Sequence, residues 1–387
     1  MKRIRVLFVL GTMRVGGAER QVIDILKHLN RDRFETSLYL IYREGELLER
    51  VPGDIRISSY WDGHAYPRLN YPGRILRSQA RDIHRTIQEH GIDLVYDRTS
   101  NVTLTTWLAT RRASVKRVSV ADSDPRKEIE ANHPRFRFAK RHLLGQAYRT
   151  ADRVVAVSEG VRTGMLEFFR LPPDQVTTCY NIFDIPHLDA LAAEDCPEFD
   201  GDRFHVVSVG RLQREKGQSY LIDAFDELVN RRGMKHLLFW LIGNGPDAAA
   251  LQNQVATKNL QQHVRFEGFQ ANPMPYVRRA DLFCLPSLFE GMPLALVEAM
   301  VARTPVLSSD CKSGPREILI DGEHGCLVPP GNPLALADAV EDAVNNRETW
   351  IARTHGARRR VEETFSVEVG MDHIEKLFQA VVGSHRN

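Results

Sequence analysis

Two carboxylates eight residues apart, Glu290 and Glu298, stand in the stretch Pro286 to Met300. The apolar run Asp281–Leu285 before them predicts a buried strand, and Leu294–Met300 is a run of good helix formers. Between them Glu290 sits in a turn, with Gly291 as a flexible joint and Pro293 in the first helical turn, where its missing N–H costs nothing. The pair does not suit glycoside hydrolysis, whose carboxylates flank one bond from opposite sides. Carboxylates on one loop and one helix fit two grips on an extended ligand. Glu290 would meet a group beside phosphates, and Glu298 a diol, as the acid of a dinucleotide fold does. The helix N-terminus between them offers unpaired N–H groups to an anion. The plainer alternative makes Glu298 part of a solvated helix face and Glu290 a loop charge.

Four other clusters bear on chemistry. Arg211 and Lys216 flank a strand-to-helix turn after Gly210, and two cations so placed suit a diphosphate without a metal. Gly16-Gly17, also between a strand and a helix, would let the backbone approach a phosphate or sugar, or would simply make a tight turn. The spacing is not that of a nicotinamide or flavin fingerprint. Asp122-Ser123-Asp124 formally matches a metal-binding D-x-D, but Pro125 points instead to turn chemistry. Residues 133–142 are basic, with Phe136 and Phe138 interleaved. They suit a solvated helix face or contact with anionic lipid. Single-stranded nucleic acid is a weaker fit, since no RNA-binding signature accompanies them.

These residues need strands to carry them. Apolar runs at Ile4–Leu10, Thr36–Ile41, Asp93–Tyr96, 117–121, 151–158 and Val176–Tyr180 alternate with helical periods in the first half. The same grammar restarts at Phe204–Val209, Leu237–Ile242, Val264–Phe269, 281–285 and Val306–Ser309. Each half therefore predicts an open parallel sheet, and ligands of such sheets bind outside the carboxyl ends of the strands. Two domains are expected, 1–185 and 203–365, facing each other across a cleft. Residues 186–202, rich in acids, Pro and Ala, are the expected linker. The final helix, 366–387, places Met371, Ile374, Leu377, Phe378 and Val381 on one face, which needs a surface to cover it. Residues 60–73, with Trp61 and three tyrosines, are expected to form a loop over a site.

Length and composition agree with two soluble domains: 387 residues, 43% apolar and 26% charged. No apolar run is long enough to span a bilayer. Five scattered cysteines lack C-x-x-C spacing, so neither a disulfide framework nor a zinc site is indicated, which fits a reducing cytosol. Charge is uneven. Residues 1–190 hold 31 Lys and Arg against 23 Asp and Glu, and residues 191–387 hold 21 against 27. The first half is the one expected to face something anionic, and peripheral contact with an inner-leaflet membrane surface follows from that.

In order along the chain, Gly16-Gly17-Ala18-Glu19, Val157-Ser158-Glu159, Asn181, Val209-Gly210-Arg211 with Lys216-Gly217, and Glu290 to Glu298 resemble the motifs of the retaining glycosyltransferases of family 4. The resemblance implies the α/β GT-B fold, two Rossmann-like domains with the last helix crossing back to the first. It implies a nucleoside-diphosphate sugar as donor, UDP-linked, a saccharide or lipid-linked saccharide as acceptor, and no metal or other cofactor. It gives Arg211 and Lys216 to the diphosphate, Glu290 to donor-sugar hydroxyls, and the backbone of Gly291, Met292, Pro293 and Leu294 to sugar and phosphate. Glu298 would take the ribose. Gly243, Gly268 and Phe269 would lie by the donor, the last two near its base, and Gly16 and Gly17 would line the donor–acceptor junction. Many relatives carry a histidine after the strand that here ends at Ala121; this chain departs from that pattern with Asp122-Ser123-Asp124, and Asp122 is the catalytic candidate in that loop. Gly314-Pro315-Arg316-Glu317 resembles members that extend glycans on polyprenyl diphosphates. A sugar-nucleotide 2-epimerase and a non-catalytic sugar-nucleotide binder share the architecture and are the alternatives.

Overall fold

The computed structural model describes residues 2–66, 73–132, 137–197 and 199–384. The chain divides into two compact units. One runs to Ile182 and resumes at Val367, and the other is Phe183–Ser366.

The first unit is built on a parallel sheet of seven strands among the described residues: β1 (Ile4–Leu10), β2 (Phe34–Leu40), β3 (Arg56–Ser59), β4 (Leu94–Arg98), β5 (Lys116–Ala121), β6 (Arg153–Ala156) and β7 (Val176–Thr178). Their order is β3-β2-β1-β4-β5-β6-β7. The second unit has six: β8 (Phe204–Val209), β9 (Leu237–Ile242), β10 (Val264–Gly268), β11 (Leu282–Leu285), β12 (Val306–Ser309) and β13 (Cys326–Val328), in the order β10-β9-β8-β11-β12-β13. In each unit the order reverses beside the first strand, and that reversal opens a crevice at the carboxyl ends of the strands. Helices cover both faces, so the central strands are largely buried and mostly apolar. β9, Leu-Leu-Phe-Trp-Leu-Ile, is buried along its whole length.

The last helix, Val367–Gly383, belongs to the first unit. Its Phe378 is fully buried, with ring centroids 6.3 Å from Phe8, 6.0 Å from Phe34 and 5.6 Å from Tyr96. Burying one such side chain contributes about 1.5–3 kcal/mol. Met371, Ile374 and Val381 share that buried face, while Leu377 is half-buried.

Three local expectations change. The stretch expected as a linker holds the helix Ile185–Ala192, which lies inside the second unit. Asp184 caps it by accepting from the His187 N–H at 3.0 Å, and Pro186 sits in its first turn. Pro293 is the N-cap of Leu294–Val301 rather than a first-turn residue. The edge strands β3 and β13, of four and three residues, are too short to show a period and were not expected.

Candidate active site

In the second unit the loops after β8 and β11 meet where the strand order reverses. After β8 the chain runs through Gly210 and Arg211 into a short 3-10 turn, Arg214–Lys216, and then Gly217. Gly217 has φ +68°, and a Cβ there would lie 2.0 Å from the Pro286 carbonyl oxygen. Only glycine fits both the left-handed backbone and that approach. The Leu288 N–H donates to the Glu215 carbonyl at 2.8 Å, joining the two loops a second time.

This joint delivers Lys216 to Glu290. The Lys216 ammonium donates to Glu290 Oε1 at 2.7 Å, and the Ser287 hydroxyl donates to the same oxygen at 2.7 Å. Glu290 is only 8% exposed, whereas the Lys216 side chain is 26% exposed. The buried carboxylate is thereby neutralised, as a buried charge must be. Glu290 Oε2 accepts no bond among the described residues, and an ammonium has three donors, so both partners retain capacity for a ligand. Cys311 is buried beside them. Burial pushes its thiol up to about 12, helped by the charge of Glu290 and opposed by Lys216.

The turn from Gly291 to Pro293 leads into the helix Leu294–Val301, whose N-cap, Pro293, has no side chain that could cap it. Its first-turn N–H groups are left to solvent or an anion. The loop after β12 closes on this turn: Gly314 has φ +90°, and a Cβ there would lie 2.7 Å from Pro293 Cδ and 2.8 Å from the Gly291 carbonyl oxygen. Met292 is buried under it. Glu298 is 4% exposed, so a solvated helix face is excluded for it.

Arg211 extends into solvent from the end of β8 and makes no ion pair among the described residues. Beyond it three strand ends are knitted together through glycine. The Gly210 N–H donates to Ile242 at 3.0 Å and the Gly243 N–H to Gly268 at 2.7 Å. A Cβ on Gly243 would lie 1.9 Å from the Gly210 carbonyl oxygen. Phe269, after β10, is 53% exposed, an open aromatic face at the rim.

In the first unit, Gly16 is the N-cap of the helix Gly17–His28 and is extended, with φ −160°. A turn requiring left-handed backbone therefore does not explain that glycine. Gly16 has no side chain with which to cap this helix, and a Cβ there would lie 2.2 Å from Oε2 of Glu19, whose carboxylate folds back over the first turn. At the end of β4, Arg98 is 3% exposed and grips Asp122. Its Nε donates to Asp122 Oδ1 at 2.7 Å and its Nη2 to Asn181 Oδ1 at 2.7 Å. Asp122 Oδ2 is buried with no hydrogen-bond partner among the described residues. Thr99, next in the chain, has φ 81°, a strained conformation for threonine that costs about 1–3 kcal/mol. Asp124 does not join Asp122. Its Oδ1 accepts from the N–H groups of Arg126 at 2.9 Å and Lys127 at 3.3 Å, capping the helix Pro125–Asn132. The D-x-D pair is thus divided between an ion pair and a helix cap.

Sequence reasoning missed Arg98 and Ser287. The signal for Arg98 was present: Asp97-Arg98 are charged residues inside a strand that is buried throughout. Asp97 accepts from Thr103, Thr106 and Ser119 at 2.6–2.8 Å, and burial raises its pKa.

An aromatic surface follows β2 and β3. Trp61 stacks with Tyr42 at 6.0 Å and with Tyr66 at 5.9 Å, and the two tyrosines are 46% and 67% exposed. The Tyr42–Leu47 loop is bonded to the end of β1, with the Met13 N–H donating to Glu44 at 2.8 Å and the Leu47 N–H to Met13 at 3.0 Å. Residues 67–72 of the expected loop lie outside the described residues, as do residues 133–136 of the basic stretch, Phe136 included. Phe138 is 73% exposed under the Arg137 guanidinium. Among the described residues no helix is long and apolar enough to cross a membrane.

Comparison with known proteins places these features. Residues 15–186 match the model for Glycosyltransferase Family 4, and residues 194–360 match that for Glycosyl transferases group 1. An uncharacterized glycosyltransferase of Methanocaldococcus jannaschii is 30% identical over 200 residues, 47% of this chain and 49% of that one. An N-acetylgalactosamine-N,N'-diacetylbacillosaminyl-diphospho-undecaprenol 4-alpha-N-acetylgalactosaminyltransferase of Campylobacter jejuni is 27% identical over 235 residues, 61% of this chain and 62% of that one. The matched stretches thus span about half to three-fifths of these two relatives. Among solved structures, the Anabaena protein HepE in complex with UDP and glucose superposes with a TM-score of 0.80 at 21% identity, over 98% of this chain and 100% of that one. Sucrose-phosphate synthase from Thermosynechococcus elongatus gives 0.81 at 17%, over 99% and 100%. The architecture is the GT-B fold. With one family model matched on each side of the division between the units, the chain belongs to glycosyltransferase family 4.

Proposed function

We propose that the chain is a retaining glycosyltransferase that moves a sugar from a UDP-sugar to a hydroxyl of a saccharide acceptor, lipid-linked or on a surface glycan. One observation carries the donor half: Lys216 and Glu290 are paired at 2.7 Å at the reversal point of the second sheet, beside an uncapped helix N-terminus. The UDP and glucose bound by the Anabaena neighbour support a UDP-sugar. The acceptor class is supported by the Campylobacter relative, which acts on a diphospho-undecaprenol-linked saccharide.

In this reading Arg211, Lys216 and the first-turn N–H groups at Leu294 and Ala295 bind the diphosphate. They gain most as negative charge grows on it, so they stabilise the transition state more than the bound donor. Glu290 Oε2 accepts from a donor-sugar hydroxyl, Glu298 holds the ribose, and Phe269 faces the base. The bond between the anomeric carbon and the diphosphate oxygen breaks as the acceptor oxygen bonds to the same face. The acceptor proton passes to the departing phosphate, giving the glycoside and UDP. Asp122, its charge balanced by Arg98, remains the candidate group of the first unit for acting on the acceptor. The exposed rings of Tyr42 and Tyr66 offer faces for a pyranose acceptor. Phe138 with Arg137 suits peripheral contact with an anionic membrane.

The test is turnover of a panel of UDP- and GDP-sugars with and without saccharide acceptors, with product anomers assigned by NMR. Expected is acceptor-dependent UDP release with retained configuration, undiminished by EDTA. Donor conversion at full rate without acceptor indicates epimerase chemistry and overturns the reading. An inverted product overturns the retaining mechanism, and loss in EDTA restored by Mn²⁺ revives the D-x-D site.

A further inference from the structure

The first unit carries a cationic cavity on the side of its sheet away from the loops described above. It has a volume of about 500 Å³ and is lined by Trp107, Arg111, Arg117, Arg149, Thr150 and Asp152 among others. These residues stand at the amino ends of the strands. Trp107 and Arg111 end the helix that precedes β5, Arg117 is the second residue of β5, and Arg149 to Asp152 run into β6. Ligands of doubly wound sheets bind at the carboxyl ends, so this cavity is separate from the candidate acceptor machinery of the same unit.

Its charge is unbalanced. Arg117 forms part of the floor at 2% exposure. Its Nη2 reaches Thr150 Oγ1 at 3.3 Å, and its Nη1 lies 3.8 Å from the buried Asp97. Asp152, the acid in the lining, is taken by Lys116 at 3.3 Å and by the Arg117 backbone N–H at 2.9 Å. Arg111 and Arg149 face no carboxylate among the described residues. The Arg111 guanidinium sits over the Trp107 ring, 5.2 Å from its centroid, and Arg149 spends one N–H on the Phe169 carbonyl at 2.8 Å. The ring contact and that single bond fix both guanidiniums while leaving most of their N–H groups unspent. Two fixed, uncompensated arginines around a cavity with a buried third at its base match the planar, multidentate recognition of phosphate. We infer that this cavity is a second anion site, which takes a diphosphate or a comparably compact phosphorylated group independently of the donor site.

Calorimetric titration with inorganic pyrophosphate tests this on the full chain. Wild type is expected to bind two equivalents. Lys216→Ala should lose the one at the donor site and keep the other. Arg111→Gln/Arg149→Gln should lose the other and keep the first, with each arginine worth about tenfold or more in affinity. Both arginines are exposed, so the double variant should keep its melting temperature and its acceptor-dependent turnover without pyrophosphate. Co-sedimentation with phosphatidylcholine vesicles, with and without phosphatidylglycerol, separates a soluble phosphate from a lipid headgroup. Binding to the anionic vesicles that depends on Arg111 and Arg149, without the second pyrophosphate equivalent, assigns the phosphate to lipid. If the double variant matches wild type in both measurements, the site does not exist. A single wild-type equivalent abolished by Lys216→Ala, with unchanged sedimentation, rules the site out as well. Failure of the donor reading shows separately, as pyrophosphate binding indifferent to Lys216.

Discussion

Replacing Lys216 with alanine removes the ammonium 2.7 Å from Glu290 Oε1 and leaves that carboxylate with only the Ser287 hydroxyl. At this distance and an effective dielectric of about 20, the attraction is on the order of 6 kcal/mol before desolvation is subtracted. Breaking a fully buried pair costs about 3–5 kcal/mol, because the surviving charge stays buried. Glu290 is 8% exposed but the Lys216 side chain is 26% exposed, so water reaches one partner and about 1–3 kcal/mol is expected in a urea melt. Turnover should fall more steeply. Lys216 meets the leaving diphosphate as its charge grows, and losing such a donor lowers kcat by about 10²-fold or more, on the order of 3 kcal/mol of barrier. A cycle with Glu290→Gln separates the two effects. Lys216→Ala/Glu290→Gln should recover part of the lost stability, because no charge is then stranded, while kcat stays low. Wild-type turnover in Lys216→Ala would remove Lys216 from the chemistry. Strictly additive stabilities would show that the ion pair is energetically empty.

Glu298→Gln, which keeps the volume of a side chain 4% exposed, should raise the donor KM roughly tenfold or more with little change in kcat, since ribose binding is common to ground and transition states. An unchanged donor KM would make Glu298 purely structural. Asp189 and Arg358 join the helices Ile185–Ala192 and Arg347–Thr364 through bonds of 2.7 and 2.8 Å, and these hold the Asp189 carboxyl below its usual range. A depressed folded pKa gives stability that is present above the unfolded value of about 3.9 and lost as pH falls through the folded one. Asp189 is 43% exposed, so Asp189→Asn should cost only about 0.5–1 kcal/mol at pH 7, and urea melts should show that gap closing below about pH 4. A gap independent of pH would show that the ion pair is not its source.

Most of the sheet framework was legible along the chain, because buried parallel strands read as mostly apolar runs wherever they are long enough. Phe204–Val209 and Leu237–Ile242 needed nothing more. Arg56–Ser59 and Cys326–Val328 escaped because short edge strands have no period. The helix Ile185–Ala192 hid behind a composition typical of a linker, although Asp184 and Pro186 were cap signals in plain view. Residue type and spacing alone marked Lys216, Glu290 and Glu298 as candidates. They left open whether Glu298 was solvated and whether Lys216 and Glu290, 74 residues apart, would touch. Sequence determines the local conformation of each loop, since backbone sterics and burial act within a few residues. Tertiary structure alone decides which loops become neighbours, here by the reversal of strand order that sets β8 beside β11. It also decides which charges find partners: Arg98 is claimed by Asp122, while Arg111 and Arg149 are left to whatever anion fills their cavity.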